Sequence, residues 1–269
     1  MTSAAVGTTD FGDPITLSEV EFDVVWEHLG FDETPLILRV PSPGKTFEER
    51  DKIVGRVWRQ LGAMGLGQPN NIHPVLADRL SILVRPEREV DARLWLGKHV
   101  RAIAAARDGR AVLATLSDGL VRFYDAHATG LPRFILGLLP QLPAGPGRSV
   151  TLRTSDLEQA AEAKSNLDFE QQLRGRGVRA DDVEALMTMF AEIKHQGQFG
   201  AAARDKLGRR VRGPRVISYF DTEEGRYLQV RKEDPYGGES WTTISPTDHR
   251  RLLQQLTDLE TEVARLVER

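Results

Sequence analysis

The sequence predicts an α+β protein built of two halves of similar plan, and three observations predict it. Helical patterns, then short strands divided by turn residues, then another helix occur in that order twice along the chain. Ser/Thr-x-x-Glu capping boxes stand before helical patterns in both passages, the second also using Asp181 with Glu184. A stretch dense in proline and glycine, Pro140 to Gly147, divides the passages. No residue-level repeat accompanies the repeated plan. The halves therefore either share one sheet or form two independent domains joined at that connector.

Residues 1–14 are rich in small and polar side chains and read as a disordered N-terminal tail, which leaves 15–269 as one α/β domain with halves 15–145 and 146–269. Leu17, Val20, Val24, Val25 and Leu29 recur at helical spacing behind a Thr16/Glu19 capping box. Leu36 to Val40 reads as a short strand stopped by Pro41 and Pro43, and Thr46 with Glu49 caps a helix ending near Gly62. A further helix is expected over Pro74 to Leu83. Four strands follow, Val90 to Leu96, Val100 to Arg107, Ala111 to Leu116 and Leu120 to Tyr124, with glycine in the turns, as in an antiparallel meander. A short apolar helix around Phe134 to Leu139 closes this half.

In the second half, Ser155/Glu158 caps a helix to about Arg174, and Asp181/Glu184 one ending near His195. Strands are expected at Gln198 to Lys206, Arg215 to Asp221, Arg226 to Arg231 and Trp241 to Ile244, with turns at Glu223 to Gly225 and Pro235 to Gly238. Ser245 and Pro246 then start a last helix that runs to about Val267.

Composition narrows the function. A formal net charge of -3 gives no overall attraction to a polyanion, which argues against nucleic acid or acidic lipid as the main partner. The absence of cysteine removes disulfides, thiolate nucleophiles and cysteine zinc sites, and fits a reducing cytoplasm. No apolar run approaches the roughly 20 residues that span a bilayer, so membrane insertion is not expected. The start of the chain has neither the basic nor the apolar region of a secretory signal.

The chemical motifs are incomplete. Pro43-Gly44-Lys45-Thr46 imitates the end of a phosphate-binding loop, but Arg39 stands where its first glycine belongs and two prolines remove amide donors. Gly175 to Ala180 imitates a dinucleotide fingerprint, yet it follows a helix, and a helix–helix turn explains its glycines better. The six histidines include no pair three or four residues apart, so metal ligation is unsupported. No nucleophile elbow or zinc-hydrolase motif is present, and Glu19, Glu49, Glu158, Asp181 and Glu184 read as helix caps. Catalytic, cofactor and metal residues are therefore none. Arg204, Lys206, Arg209, Arg210, Arg212 and Arg215 form one basic cluster that could hold RNA or a phosphate, but no aromatic residues are interleaved to stack bases, so a solvated hairpin is the stronger reading. Trp95 and Trp241, on strands, are the aromatic residues to inspect for a protein-binding role.

Two segments carry a resemblance. Leu17-Ser18-Glu19-Val20-Glu21-Phe22, with Pro41 to Thr46 and Glu49-Arg50, resembles the start of the EspG family, chaperones of actinobacterial ESX (type VII) secretion systems. Phe220 to Tyr227, then Trp241 and Ser245-Pro246, resembles that family's closing hairpin and helix. The resemblance in element order covers nearly all the chain beyond the tail. It implies a central antiparallel β-sheet flanked by two helical bundles in a pseudo-twofold arrangement, and a non-enzymatic, cytoplasmic protein without a cofactor. It also implies the partner: a PPE protein within a PE-PPE heterodimer, or another helical ESX substrate, held by its hydrophobic tip with the chaperone a monomer or weak dimer. The implied partner-binding residues are Trp95, Arg101 and Ile103 on the first strands, Phe169, Leu173, Met187 and Phe190 on the helices, and Tyr219, Tyr227 and Trp241 on the later strands. The turn Gly97-Lys98-His99 is short where family members often carry a longer loop.

Overall fold

Side-chain oxygens at fixed offsets decide where the early helices begin. In the computed structural model, which describes residues 11–31, 34–190, 192–234 and 236–268, Ser18 and Glu21 form a capping box that starts α1 (Glu19–His28). The box expected at Thr16/Glu19 is thus two residues later. Thr16 lies in β1 (Ile15–Ser18), whose pairing with another strand uses the backbone a helix would need. Leu36–Leu38 is a single 3-10 turn, a correction to the strand expected there: Pro35 and Pro41 border a segment with no neighbouring strand edge. Thr46 and Glu49 cap α2 (Phe47–Ala63) as expected. A two-residue ribbon, β2 (Gly67–Gln68) and β3 (Asn71–Ile72), leads to α3 (Pro74–Val84).

The meander consists of β4 (Arg88–Leu96), β5 (His99–Arg107), β6 (Arg110–Ser117) and β7 (Leu120–His127), followed by α4 (Leu131–Leu136). Asp108-Gly109 and Asp118-Gly119 make its last two turns with positive φ at both residues, the backbone twist that suits a two-residue hairpin. The second half opens with β8 (Val150–Arg153), a strand that the sequence reading left out. The single helix expected to Arg174 is two, α5 (Thr154–Ala160) and α6 (Asn166–Gly175), because Ser165 caps a new start by accepting from the Asp168 amide at 3.2 Å. Next come α7 (Ala180–Met189), β9 (His195–Arg204), β10 (Arg210–Arg212), β11 (Ile217–Thr222), β12 (Gly225–Lys232), β13 (Trp241–Pro246) and α8 (His249–Glu268). Helix α7 stops six residues before the expected His195, which starts β9 instead. Ser245 and Pro246 pair with Leu228 and Tyr227 as the end of β13, and the Asp248 carboxylate takes the capping role by accepting from the Arg251 amide at 2.8 Å.

One antiparallel sheet of 11 strands runs through both halves in the order β1-β7-β6-β5-β4-β9-β11-β12-β13-β8, with β10 beside β9. Every residue of β4 is in register with β9, from Arg88 opposite Ala203 to Leu96 opposite His195, so the halves meet through backbone ladder bonds. Strand alternation then divides the core. Val90, Ala92, Leu94, Phe199, Ala201 and Ile217 face α4 and α8 and pack on Leu252, Leu256, Leu259 and Val263. On the opposite face α1, α2 and α3 cover Ile103, Ala105, Val112 and Phe123, while α5, α6 and α7 cover Val150, Phe220, Tyr227 and Ile244. Between these two bundles the centre of the sheet is left uncovered.

The connector Pro140 to Gly147 is clamped to β12. Arg226 donates its amide to the Pro143 carbonyl, accepts from Gly145 and donates Nη2 to the Pro140 carbonyl, while the Tyr227 hydroxyl donates to the Pro146 carbonyl at 3.1 Å. Gly145 is required there, since a Cβ would overlap the Tyr227 ring. Residues 1–10 of the expected tail lie outside the described residues, as does Pro235 of an expected turn. Phe11 is partly buried, its ring 5.3 Å from that of Tyr124. No helix among the described residues is long and apolar enough to cross a membrane.

Candidate partner-binding cleft

The uncovered sheet centre forms the floor of a cleft of about 780 Å³ between the two bundles. Antiparallel register determines which side chains share that floor, because directly opposed residues point to the same face. One row runs Leu116, Arg101, Arg93, Gln198, Ser218 and Gln229 across six strands, and the next runs His99, Trp95, Gln196 and Phe220. Trp95 is 40% exposed and stacks edge-on with His99 at 4.8 Å, and Ile193, equally exposed, stands on the wall beside Phe190.

Phe190 is positioned by an aromatic ladder. Its ring stacks on Phe220 at 5.1 Å, Phe220 stacks on Tyr227 at 5.1 Å, and Phe169 meets Phe190 edge-on at 5.8 Å. The second bundle is thereby tied to the cleft floor.

Of the sequence-expected partner residues, the fold brings the side chains of Trp95, Arg101 and Phe190 together at this cleft, while Tyr219 borders it from a floor strand with its ring on the other face. Tyr219 is 2% exposed and stacks on Phe199 in the opposite-face core, where burial pushes its phenol well above the ordinary tyrosine value. Ile103 is buried under the first bundle, Leu173 inside the second, and Tyr227 beneath the connector, so these three have no free surface. Phe169 and Met187 are half-buried within the second bundle. Trp241 is exposed on β13 and lies outside the cleft. Reasoning from sequence missed Arg93, Ile193, Gln196 and Gln198. Ending the helix at His195 hid Ile193 inside it, and starting the next strand at Gln198 left Gln196 outside that strand; the alternation Gln196-Gly197-Gln198 was the signal available for a strand with one polar face.

The other anion-binding readings lose their donors. In the Pro43 to Thr46 turn the Glu49 carboxylate already accepts from the Lys45 and Thr46 amides, at 2.8 and 3.3 Å, so an anion is in place where a phosphate would sit. At the Gly175 to Ala180 turn only Gly177 takes positive φ, as the end of a helix. The basic cluster is largely paired: Arg209 with Asp205, Arg210 with Glu89, Arg212 with Asp91 and Arg215 with Glu262. Arg212 crosses Gly200, where a Cβ would find no room, to reach Asp91 with two nitrogens at 2.5 and 3.0 Å, and this bond pushes the Arg212 guanidinium above its usual value. The Arg210–Glu89 and Arg212–Asp91 pairs line a second hollow of about 670 Å³ at the other end of the same floor.

Beneath the cleft Asp221 and Arg226 form a fully buried ion pair, with Nε and Nη2 at 2.6 and 2.9 Å from the two carboxylate oxygens. Among the described residues the Nη1 group has no acceptor, and the guanidinium lies 5.2 Å from the Tyr219 ring centre, a cation–π contact. Burial, with the Arg226 charge adding to it, holds the nearby His249 below the usual imidazole range. No cluster among the described residues could hold a metal ion.

A sheet left open between two helical bundles, with aromatic and arginine side chains on its floor, has the form of a docking cleft in an α+β protein. The chain belongs to the EspG family, whose model matches residues 18–258. A solved structure of the Mycobacterium tuberculosis type VII secretion system chaperone EspG5, in complex with a PE25–PPE41 dimer, shares this fold with a TM-score of 0.71. The two chains are 16% identical, over 93% of this one and 96% of that one. Among curated proteins none matches the chain significantly.

Proposed function

We propose that this protein is a cytoplasmic chaperone of a type VII secretion system that binds the hydrophobic helical tip of a PPE protein in a PE-PPE heterodimer, or of a similar ESX substrate. The observation that carries the reading is the cleft itself: the centre of a continuous sheet left open between two bundles in a member of the EspG family. An exposed apolar tip self-associates, and a groove that covers it removes that surface from water. Reversible capture needs no covalent step, so the protein acts without catalysis and without a cofactor. Residues 15–269 serve as one unit, as monomer or weak dimer, and Trp95, Ile193 and Phe190 are its apolar contacts.

The test is co-expression with the PE-PPE or WXG100-type proteins encoded beside its gene, followed by pull-down and size-exclusion chromatography. A stoichiometric complex that keeps an otherwise insoluble partner in solution is the expected result. Separate elution of every such pair, with partners no more soluble than alone, would overturn the reading.

A further inference from the structure

Arg93 on β4 and Arg101 on β5 are directly opposed in the register and share the cleft floor. Like charges so placed repel and weaken a sheet. The other arginines of this region have anions: Arg210 has Glu89, Arg212 has Asp91 and Arg88 has Glu260. Among the described residues the Arg93 side chain makes no ion pair or hydrogen bond, and the Arg101 side chain donates only to the Arg39 carbonyl, at 3.1 Å. The same-face carboxylate nearest along β4 is Asp91, whose two oxygens are both taken by Arg212. Across the other edge of β4, Arg93 faces Gln198. Glu19 stands at the rim without an ion pair to either arginine. In a chain of net charge -3, two guanidinium groups without a carboxylate partner stand beside an exposed tryptophan, and the one internal bond to the Arg39 carbonyl leaves both charges uncompensated.

We infer that the partner segment seated in this cleft is acidic: it presents a carboxylate to the Arg93–Arg101 pair next to an apolar side chain that covers Trp95. The inference rests on the chaperone reading of the same cleft. A wholly apolar tip would bury both charges unpaired, which is strongly unfavourable, so whatever covers the floor brings anions with it. Arginine suits the task, because its planar fork grips a carboxylate with two parallel bonds. The charges then fix the register and speed of docking, while the apolar contact supplies burial.

The experiment measures affinity between the full chain and its co-expressed partner across a salt series. Wild type is expected to weaken as salt rises. Arg93→Gln/Arg101→Gln is expected to weaken binding by about thirtyfold or more and to flatten the salt dependence. The thermal midpoint of the free variant should stay level or rise, because repulsion is removed; that readout separates a lost contact from a lost fold. Exchanging the partner's acidic residue for arginine should restore binding to Arg93→Glu/Arg101→Glu. If wild type binds and the glutamine variant binds equally well at every salt concentration, this inference falls and the chaperone reading stands. If wild type forms no complex, both fall together.

Discussion

Asp221 and Arg226 are five residues apart on the two arms of one hairpin, and neither has any exposed side-chain surface. Arg226 holds Asp221 through two bonds, reaches the Pro140 carbonyl with its side chain and the connector with its backbone. A buried charge left without its partner costs about 3–5 kcal/mol. Asp221→Asn is therefore expected to lower the unfolding free energy by roughly that amount, read from the shift of the urea midpoint at constant slope. In the sequence Arg226 only marks the start of a strand after the turn Glu223-Glu224-Gly225. Its burial depends on the connector folding over it, a contact between residues more than 80 positions apart, and local pattern carries no trace of such a contact.

Among the elements, α8 is the most legible. Leu252, Leu256, Leu259 and Val263 fall at spacings of four, three and four, and all four are buried on the sheet. This stripe is the main cover of the core shared by β4 and β9. Leu256→Ala leaves a cavity at a site with no exposed surface and is expected to cost about 2–5 kcal/mol, measured by calorimetry against the wild-type chain. Strand and helix types in the meander were readable because Asp-Gly turns and alternation act over a few residues. The ends of α1, α7 and α8 were not. Thr16, His195 and Ser245 carry cap-like or helix-compatible side chains but belong to strands. There the ladder bonds of a neighbouring strand outweigh a local capping preference worth about 1 kcal/mol.

For the whole molecule, the β4–β9 pairing has a mechanical consequence. Nothing flexible separates the halves at the sheet, and a single core spans both sides of the junction under α4 and α8. The two halves are expected to unfold in one transition. Fluorescence from Trp26 and Trp58, buried in the first half, should lose its native signal at the same urea concentration as far-ultraviolet dichroism reporting both halves. Two separated midpoints would show instead that each half folds alone, as the two-domain alternative left open by the sequence requires.

By itself the sequence determined the α+β class, the location of most strands and the family resemblance, because periodicity, turns and caps are properties of neighbouring residues. Tertiary structure decided what the cleft contains. Arg93, Arg101, Gln198 and Trp95 come from three strands, and only inter-strand register puts them on one face. Whether Ile103 or Trp95 reaches solvent was likewise settled by which sheet positions the two bundles cover, since both are apolar residues on adjacent strands and burial is set by what packs above them.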